Sequence, residues 1–177
     1  MKIASVITAF LLVISTAAAH ADSMSNEDLK IVLADHAQQI RVALEMAPIK
    51  SNRQLHQYIN TTPSEISAFN GISQQQQTTF IRSLKFNENG LTEFDPTPLK
   101  GMTPTQVYKI LALFGMQSGT SSINAIAQND LDRSVNESLL AGGSEAGIYL
   151  KAFLEGYRCE GRATCGESQR SACTSNC

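Results

Sequence analysis

The longest regular pattern of apolar residues runs from Ser25 to Ala47 and predicts an amphipathic helix. Ser25 can cap its first turn, and the acidic residues Glu27 and Asp28 suit the positive end of the helix dipole. Pro48 marks the end of the pattern. The residues that recur at steps of three and four are Leu29, Val32, Leu33, His36, Ile40, Ala43, Leu44 and Ala47.

Four later segments begin with a hydroxyl residue that precedes a Glu or Gln by three positions, the arrangement of a helix capping box. The pairs are Ser51 and Gln54, Thr62 and Glu65, Ser73 and Gln76, and Thr103 and Gln106. We predict that each pair opens a short helix. Ile66 and Phe69 would form the apolar side of the second, and Pro104 suits the first turn of the fourth.

Between residues 85 and 100 the helical period breaks. Asn89-Gly90 stands between two flanking segments, 85–88 and 91–94, as in a two-residue turn between antiparallel strands. The sequence therefore predicts a small β-hairpin near residues 85–94.

After this hairpin the pattern predicts helices again, so the fold class is expected to be mainly α. Apolar residues between Ile123 and Leu139 indicate one or two helical stretches, and those at positions 148, 150, 153 and 154 indicate one more short helix. We expect a single compact multi-helix domain over residues 22–157, with a disulfide-bonded tail, residues 158–177, packed on it.

Residues 1–21 have the three parts of a secretory signal peptide. Lys2 precedes an apolar run from Ile3 to Ile14, and small residues lead to Ala21, after which we predict cleavage. The run is far shorter than the ~20 residues of a membrane-spanning helix. We expect a bacterial periplasmic protein without a membrane anchor in the mature chain, or alternatively one secreted to the extracellular medium.

The charge of the predicted mature chain disfavours some partners. Its 156 residues carry 13 basic and 16 acidic side chains, a net charge of −3, and the basic residues form no cluster. Nucleic acids and anionic membranes require concentrated positive charge. We therefore expect a protein partner and no nucleic acid.

The four cysteines, Cys159, Cys165, Cys173 and Cys177, have the spacing C-x5-C-x7-C-x3-C. In an exported chain an even number of cysteines indicates disulfides, and three pairings are possible. A hairpin that returns the chain on itself favours Cys159 with Cys177 and Cys165 with Cys173. The alternative, a four-thiolate zinc site, normally has two C-x2–4-C units, so we expect neither a metal nor a cofactor.

Few residues are available for catalysis. His36 and His56 are the only histidines after cleavage, and His36 falls on the apolar stripe of the first helix, where a structural role is favoured. A carboxylate pair would have to come from scattered acids, and no sequence motif of a known catalytic type accompanies them. The acids considered are Glu88, Glu93, Asp95 and Glu145.

Asp130, Asp132 and Ser134 alternate as the first ligands of an EF-hand loop do. Val135 stands where the loop needs glycine, and Ala141 stands where a bidentate glutamate should be. We therefore predict a polar helix face here and no calcium site.

Three functional hypotheses remain open on these grounds. The first is an exported protein that binds another envelope or secreted macromolecule without catalysis. The second is a small periplasmic hydrolase that uses a carboxylate pair, or His36 or His56. The third is an envelope component that docks through intermolecular disulfides of its tail.

Overall fold

A computed structural model describes residues 26–141 and 152–177. The predicted signal peptide, its cleavage site and Glu145 lie outside these residues. The described helices and strands, in chain order, are α1 (Asn26–Glu45), α2 (Asn52–Thr61), α3 (Gln74–Ser83), β1 (Lys85–Asn87), β2 (Gly90–Phe94), α4 (Pro104–Ala112), α5 (Asp130–Ala141), β3 (Phe153–Gly161) and β4 (Thr164–Thr174), with short 3₁₀ helices at Thr97–Leu99 and Gln117–Ser122.

The long first helix is confirmed as α1. Its C-terminal end packs on the body of the protein, where Leu44 meets the core and the α1 backbone approaches Gly115. A Cβ atom built on Gly115 would lie 2.5 Å from the carbonyl oxygen of Ala43, so only glycine allows this approach. Over 26–141 and 152–177, no helix combines the length and apolar character needed to cross a bilayer.

Three of the four capped helix starts are confirmed. Ser51 accepts a hydrogen bond from the backbone N–H of Gln54 at the start of α2. Complete capping boxes open α3 at Ser73 and α4 at Thr103. Each box satisfies two backbone N–H groups within four residues, which explains why these starts could be recognised locally.

The helix predicted to begin at Thr62 is wrong, because Thr62 instead ends α2 by donating its backbone N–H to Tyr58. Residues 64–71 form consecutive turns. The backbone N–H groups of Ile66 and Ser67 both bond to the Pro63 carbonyl, so one helical turn forms and is not propagated. A single turn fixes several dihedral angles for few hydrogen bonds, and Gly71 at φ +87° then redirects the chain.

The predicted hairpin is confirmed as β1 and β2, in which Asn87 pairs with Gly90 and Phe86 with Leu91. The side chain of Asn87 accepts hydrogen bonds from the backbone N–H groups of Asn89 and Gly90, which holds the turn. The two strands form one edge of a four-stranded antiparallel sheet in the order β1-β2-β4-β3.

This sheet corrects the expected fold class: the protein is mixed α and β and not mainly α. Phe153 and Leu154, placed by the sequence pattern in a short helix, begin β3 and pair with Thr174 and Cys173 of β4. On its other side β4 pairs with β2, through Glu93 with Cys173. The polar C-terminal sequence therefore forms a strand because two other strands supply its hydrogen bonds, and not because of its own periodicity.

Aromatic rings join the sheet to the helices in one core. The ring centroids of Phe94 and Phe153 are 4.9 Å apart, and Phe80 lies 5.9 Å from Phe94 and 6.2 Å from Phe114, all in edge-to-face geometry. Ala172 of β4 belongs to the same buried cluster. The helices and the C-terminal strands are therefore packed on a shared apolar interior.

Candidate functional site

The β3–β4 hairpin is strongly bent. Between the paired residues Glu155 and Tyr157, Gly156 alone on β3 faces the four residues 168–171 on β4. Gly156 has φ +86°, a conformation that favours glycine. Cys165 and Cys173 lie on the same strand, eight residues apart, yet their Cα atoms are only 6.0 Å apart, whereas a straight strand would separate them by about 26 Å.

Two disulfides hold this bend, Cys159–Cys177 and Cys165–Cys173. They are the pairs that the hairpin argument favoured from the sequence. All four cysteines, which belong to the described residues, pair within the chain, and none is left for an intermolecular bond. We call residues 157–167 together with the four cysteines the cystine knob.

Glu93 of β2 lies beneath the knob and is only 5% exposed. Its Oε2 accepts a hydrogen bond from the backbone N–H of Cys159 at 3.2 Å. Its Oε1 accepts from the hydroxyl of Ser171 at 3.0 Å and from the ammonium of Lys85 at 2.9 Å. This carboxylate, considered above for catalysis, thus connects the sheet to the knob.

The other candidate catalytic residues lie on separate elements. His36 is half-buried on α1, and His56 is exposed on α2. Glu88 is exposed in the β1–β2 turn, and Asp95 accepts a hydrogen bond from the backbone N–H of Thr97. The geometry therefore provides no support for the hydrolase hypothesis from these residues.

Asp132, placed by the sequence on a polar helix face, is instead buried and connects α4 to α5. Its carboxylate accepts hydrogen bonds from the backbone N–H groups of Thr105 and Gln128. The pKa of Asp132 is lowered, first by the side-chain hydroxyl of Thr105 and then by these N–H groups and the Thr103 hydroxyl, against the raising effect of burial.

The most distinctive exposed surface surrounds Ile66, at the tip of the turns between α2 and α3. Ile66 is 75% exposed. Beside it, an open groove of about 610 Å³ separates the turns from α4 and includes Tyr108, which is 37% exposed. We call residues Ile66, Tyr108, Glu65 and Lys109 the Ile66 surface.

The loop that carries Ile66 is braced from both sides. The phenol oxygen of Tyr58 on α2 accepts a hydrogen bond from the backbone N–H of Ala68 at 2.8 Å, and Phe69 is buried in the core. The side chain of Asn70 donates to the carbonyl oxygen of Glu65 at 3.0 Å. These contacts fix the loop although its tip projects into solvent.

Gly71 lies so close to α4 that the loop has no room for a side chain at this position. A Cβ atom at this position would lie 2.7 Å from the side-chain nitrogen of Gln106, the capping residue of α4. A second, smaller hollow of about 350 Å³ lies beside the loop and shares Ser67, Asn70 and Gly71 with the groove. The loop is therefore a ridge between two depressions.

Opposite charges lie along the groove, with Glu65 on the loop and Lys109 on α4. The pKa of Glu65 is lowered by a hydrogen bond from its own backbone N–H and by the Ser64 hydroxyl, which donates to it at 2.9 Å, while desolvation opposes them. Glu65 is therefore ionised at neutral pH. The groove offers an apolar tip, a phenol ring and one charge of each sign.

Sequence reasoning missed this surface because it assigned Ile66 to the apolar side of a helix. Other exposed apolar residues lie on helices, such as Ile31 on α1 and Leu131 on α5, on the loop before α5, as Ile126 does, or on β3, as Leu154 does. Ile66 is more exposed than Ile126, and it lines the groove beside α4 on a loop that Tyr58 braces. The Thr-Pro-Ser start of the segment was the available signal for a turn.

Comparison with protein-family models, with curated proteins and with solved structures gives no significant match for this chain.

Proposed function

We propose that the chain is an exported, non-enzymatic binding protein whose Ile66 surface docks on another protein of the envelope or the extracellular space. The observation that carries the proposal is the braced presentation of Ile66, three quarters exposed beside a groove. Aliphatic and aromatic anchors on a fixed backbone are typical of protein interfaces, since little conformational entropy is lost on binding.

The composition of the surface favours a protein partner. Ile66 supplies an apolar anchor, Tyr108 a ring with a polar tip, and Glu65 and Lys109 provide charges that would define the orientation at the rim. The groove is open to solvent, which suits a protruding side chain of a partner better than an enclosed small molecule.

The two disulfides support the exported part of the proposal, because such bonds persist mainly in oxidising compartments. Intact mass of protein from the native host tests it. We expect the mass of residues 22–177 with two disulfides. A cytosolic product that retains residues 1–21 and four thiols would contradict export without bearing on the Ile66 surface.

Binding is tested by capture from the native envelope and secreted fractions with the immobilised mature chain. A captured protein is then purified and titrated against the wild type and against Ile66→Asp. An anchor residue contributes about 2 kcal/mol or more to binding, so we expect at least about 30-fold weaker affinity for the variant.

The matched control is Leu131→Asp, which places the same charge on another apolar side chain, 61% exposed, of α5. We expect its affinity to stay within about twofold of the wild type, since residues outside the anchor region contribute little. Equal affinities for Ile66→Asp and the wild type would refute the role of the loop, and failure to recover a partner would count against the function.

A further inference from the structure

The sulfur atoms of the two disulfides form one cluster. The Sγ atoms of Cys165, Cys173 and Cys177 all lie within 4.8 Å of one another, and Sγ of Cys159 is bonded to Cys177. Two disulfides need not be neighbours, and the bend at Gly156 brings them together. We infer that the reduced chain binds one Zn²⁺ ion through these four thiolates. The cystine knob would then have two alternative states, one with two disulfides and one with four thiolates bound to the ion.

The distances suit this exchange. Four thiolates at about 2.3 Å around a tetrahedral Zn²⁺ are about 3.8 Å from each other. Sγ of Cys177 already lies within 4.8 Å of both sulfurs of the Cys165–Cys173 disulfide, so the main changes are separation of each bonded pair by about 2 Å and rotation of the Cys159 side chain toward Cys165, its partner across the hairpin. The Cα atoms of the pairs are 5.5 and 6.0 Å apart, and rotation about χ1 moves a sulfur while its Cα stays in place.

Contacts other than the disulfides hold the four backbones in place. Cys173 lies in the centre of the sheet, paired with Glu93 on one side and Leu154 on the other. Cys159 and Cys165 face each other across the hairpin, and Cys159 also donates its backbone N–H to Glu93. The backbone N–H of Cys177 bonds to Thr174. These contacts remain available after reduction.

The fold also compensates for a cysteine spacing that is unusual for a zinc site. Zinc sites usually take their cysteines from C-x2–4-C units, and only Cys173 and Cys177 have such a spacing. Here the hairpin places Cys159 opposite Cys165, the bend places Cys165 beside Cys173 and Cys177, and Cys159 is bonded to Cys177. The tertiary structure thus provides the proximity that two local units provide elsewhere.

Conversion of the two disulfides to a Zn²⁺ site requires a reductant, and a dithiol can supply the electrons. Two dithiol molecules each transfer two electrons and two protons to one disulfide, become cyclic disulfides themselves, and leave four cysteine thiols. Zn²⁺ then binds the four thiolates and displaces four protons. Two molecules of a disulfide oxidant reverse the process, because each takes two electrons from one pair of thiolates and two protons from solvent and becomes two thiols, while the two protein disulfides form and Zn²⁺ is released.

The test uses the mature chain, folded with its disulfides and then reduced by a phosphine without oxygen. It is titrated with Co²⁺, whose tetrahedral thiolate complexes absorb in the visible, and the Co²⁺ is then displaced with Zn²⁺. We expect one ion per chain in the reduced protein. The oxidised protein and the reduced, alkylated protein should bind none.

The variant Cys165→Ser should bind Co²⁺ more than about 100-fold more weakly, since loss even of groups that only orient the ligands costs 10- to 100-fold. Circular dichroism of the loaded wild type should retain the β-sheet signal, so the result does not depend on whether the variant folds. The inference is overturned if the reduced wild type binds no ion at micromolar concentration, binds at another stoichiometry, or binds only as an unfolded chain. It does not depend on the Ile66 surface.

Discussion

Replacement of Glu93 by glutamine tests whether this carboxylate fixes the cystine knob to the sheet. The amide has nearly the same shape as the carboxylate but only one acceptor oxygen. The native carboxylate accepts from Cys159 with one oxygen and from Lys85 and Ser171 with the other. Whichever way the amide is turned in Glu93→Gln, a donor on one side faces an NH₂ group.

The magnitude follows from these contacts. A buried donor without its acceptor costs about 1 to 3 kcal/mol. The Lys85 side chain is 63% exposed, so the ion pair adds at most about 1 kcal/mol after solvent screening. We expect Glu93→Gln to lower the free energy of unfolding by about 2 to 3 kcal/mol, which for a chain of this size lowers Tm by about 4 to 12 °C.

The measurement is denaturant unfolding of the oxidised mature chain at pH 7, combined with hydrogen exchange at the Cys159 amide. The exchange should become faster in Glu93→Gln, because that N–H loses its acceptor or the knob opens more often. Glu88→Gln is the control, since Glu88 is exposed in the same hairpin and its substitution should stay within about 0.5 kcal/mol. Equal stabilities for the two variants would show that Glu93 does not fix the knob.

Three further outcomes are expected. Asp132→Asn should lower the free energy of unfolding by a constant amount at pH 5 to 7, and the difference from the wild type should disappear as pH falls below 3.8 and through the lowered pKa of the folded carboxyl. Unfolding at a series of pH values checks this, and a difference that persists at acid pH contradicts it. Gly115→Ala should lower the stability measured by thermal unfolding by about 2 kcal/mol or more, whereas Gly101→Ala should lower it by only about 1 kcal/mol, because Gly101 also has positive φ but a Cβ there would meet nothing within 4 Å. Equal costs would mean that α1 moves aside to accommodate the new methyl group. Paired Cys159→Ser and Cys177→Ser substitutions should cost about 3 kcal/mol in denaturant, since a loop of 18 residues is opened, and an unchanged midpoint would contradict this.

The helix starts could be predicted because their determinants are local. Ser73 and Thr103 each exchange hydrogen bonds with a Gln three residues later, and the turn at Asn89-Gly90 is held by the neighbouring Asn87. The same local reasoning failed at Thr62, where the hydroxyl and Glu65 have the correct spacing. There the chain forms turns instead, which bury Phe69 and bring Gly71 close to Gln106.

The candidate sites were predicted only in part. The cysteine pairing could be favoured from the sequence because a returning hairpin allows few combinations. Neither the role of Glu93 nor the burial of Asp132 had a local signal, since Cys159, Ser171 and Thr105, which donate to them, belong to distant segments. Ile66 could not be recognised as a surface residue, because an apolar residue after a capping motif more often lies inside.

The sequence by itself determined three of the four capped helix starts, the β1–β2 turn and a favoured set of disulfides, all of which depend on residues close together or on covalent bonds. Only the tertiary structure decided that the tail forms two strands, that its sulfurs gather into one cluster and that Ile66 faces solvent. The physical reason is the range of the interactions. A cap is satisfied within four residues, whereas the pairing of Glu93 with Cys173 needs backbone partners that only the folded chain brings together.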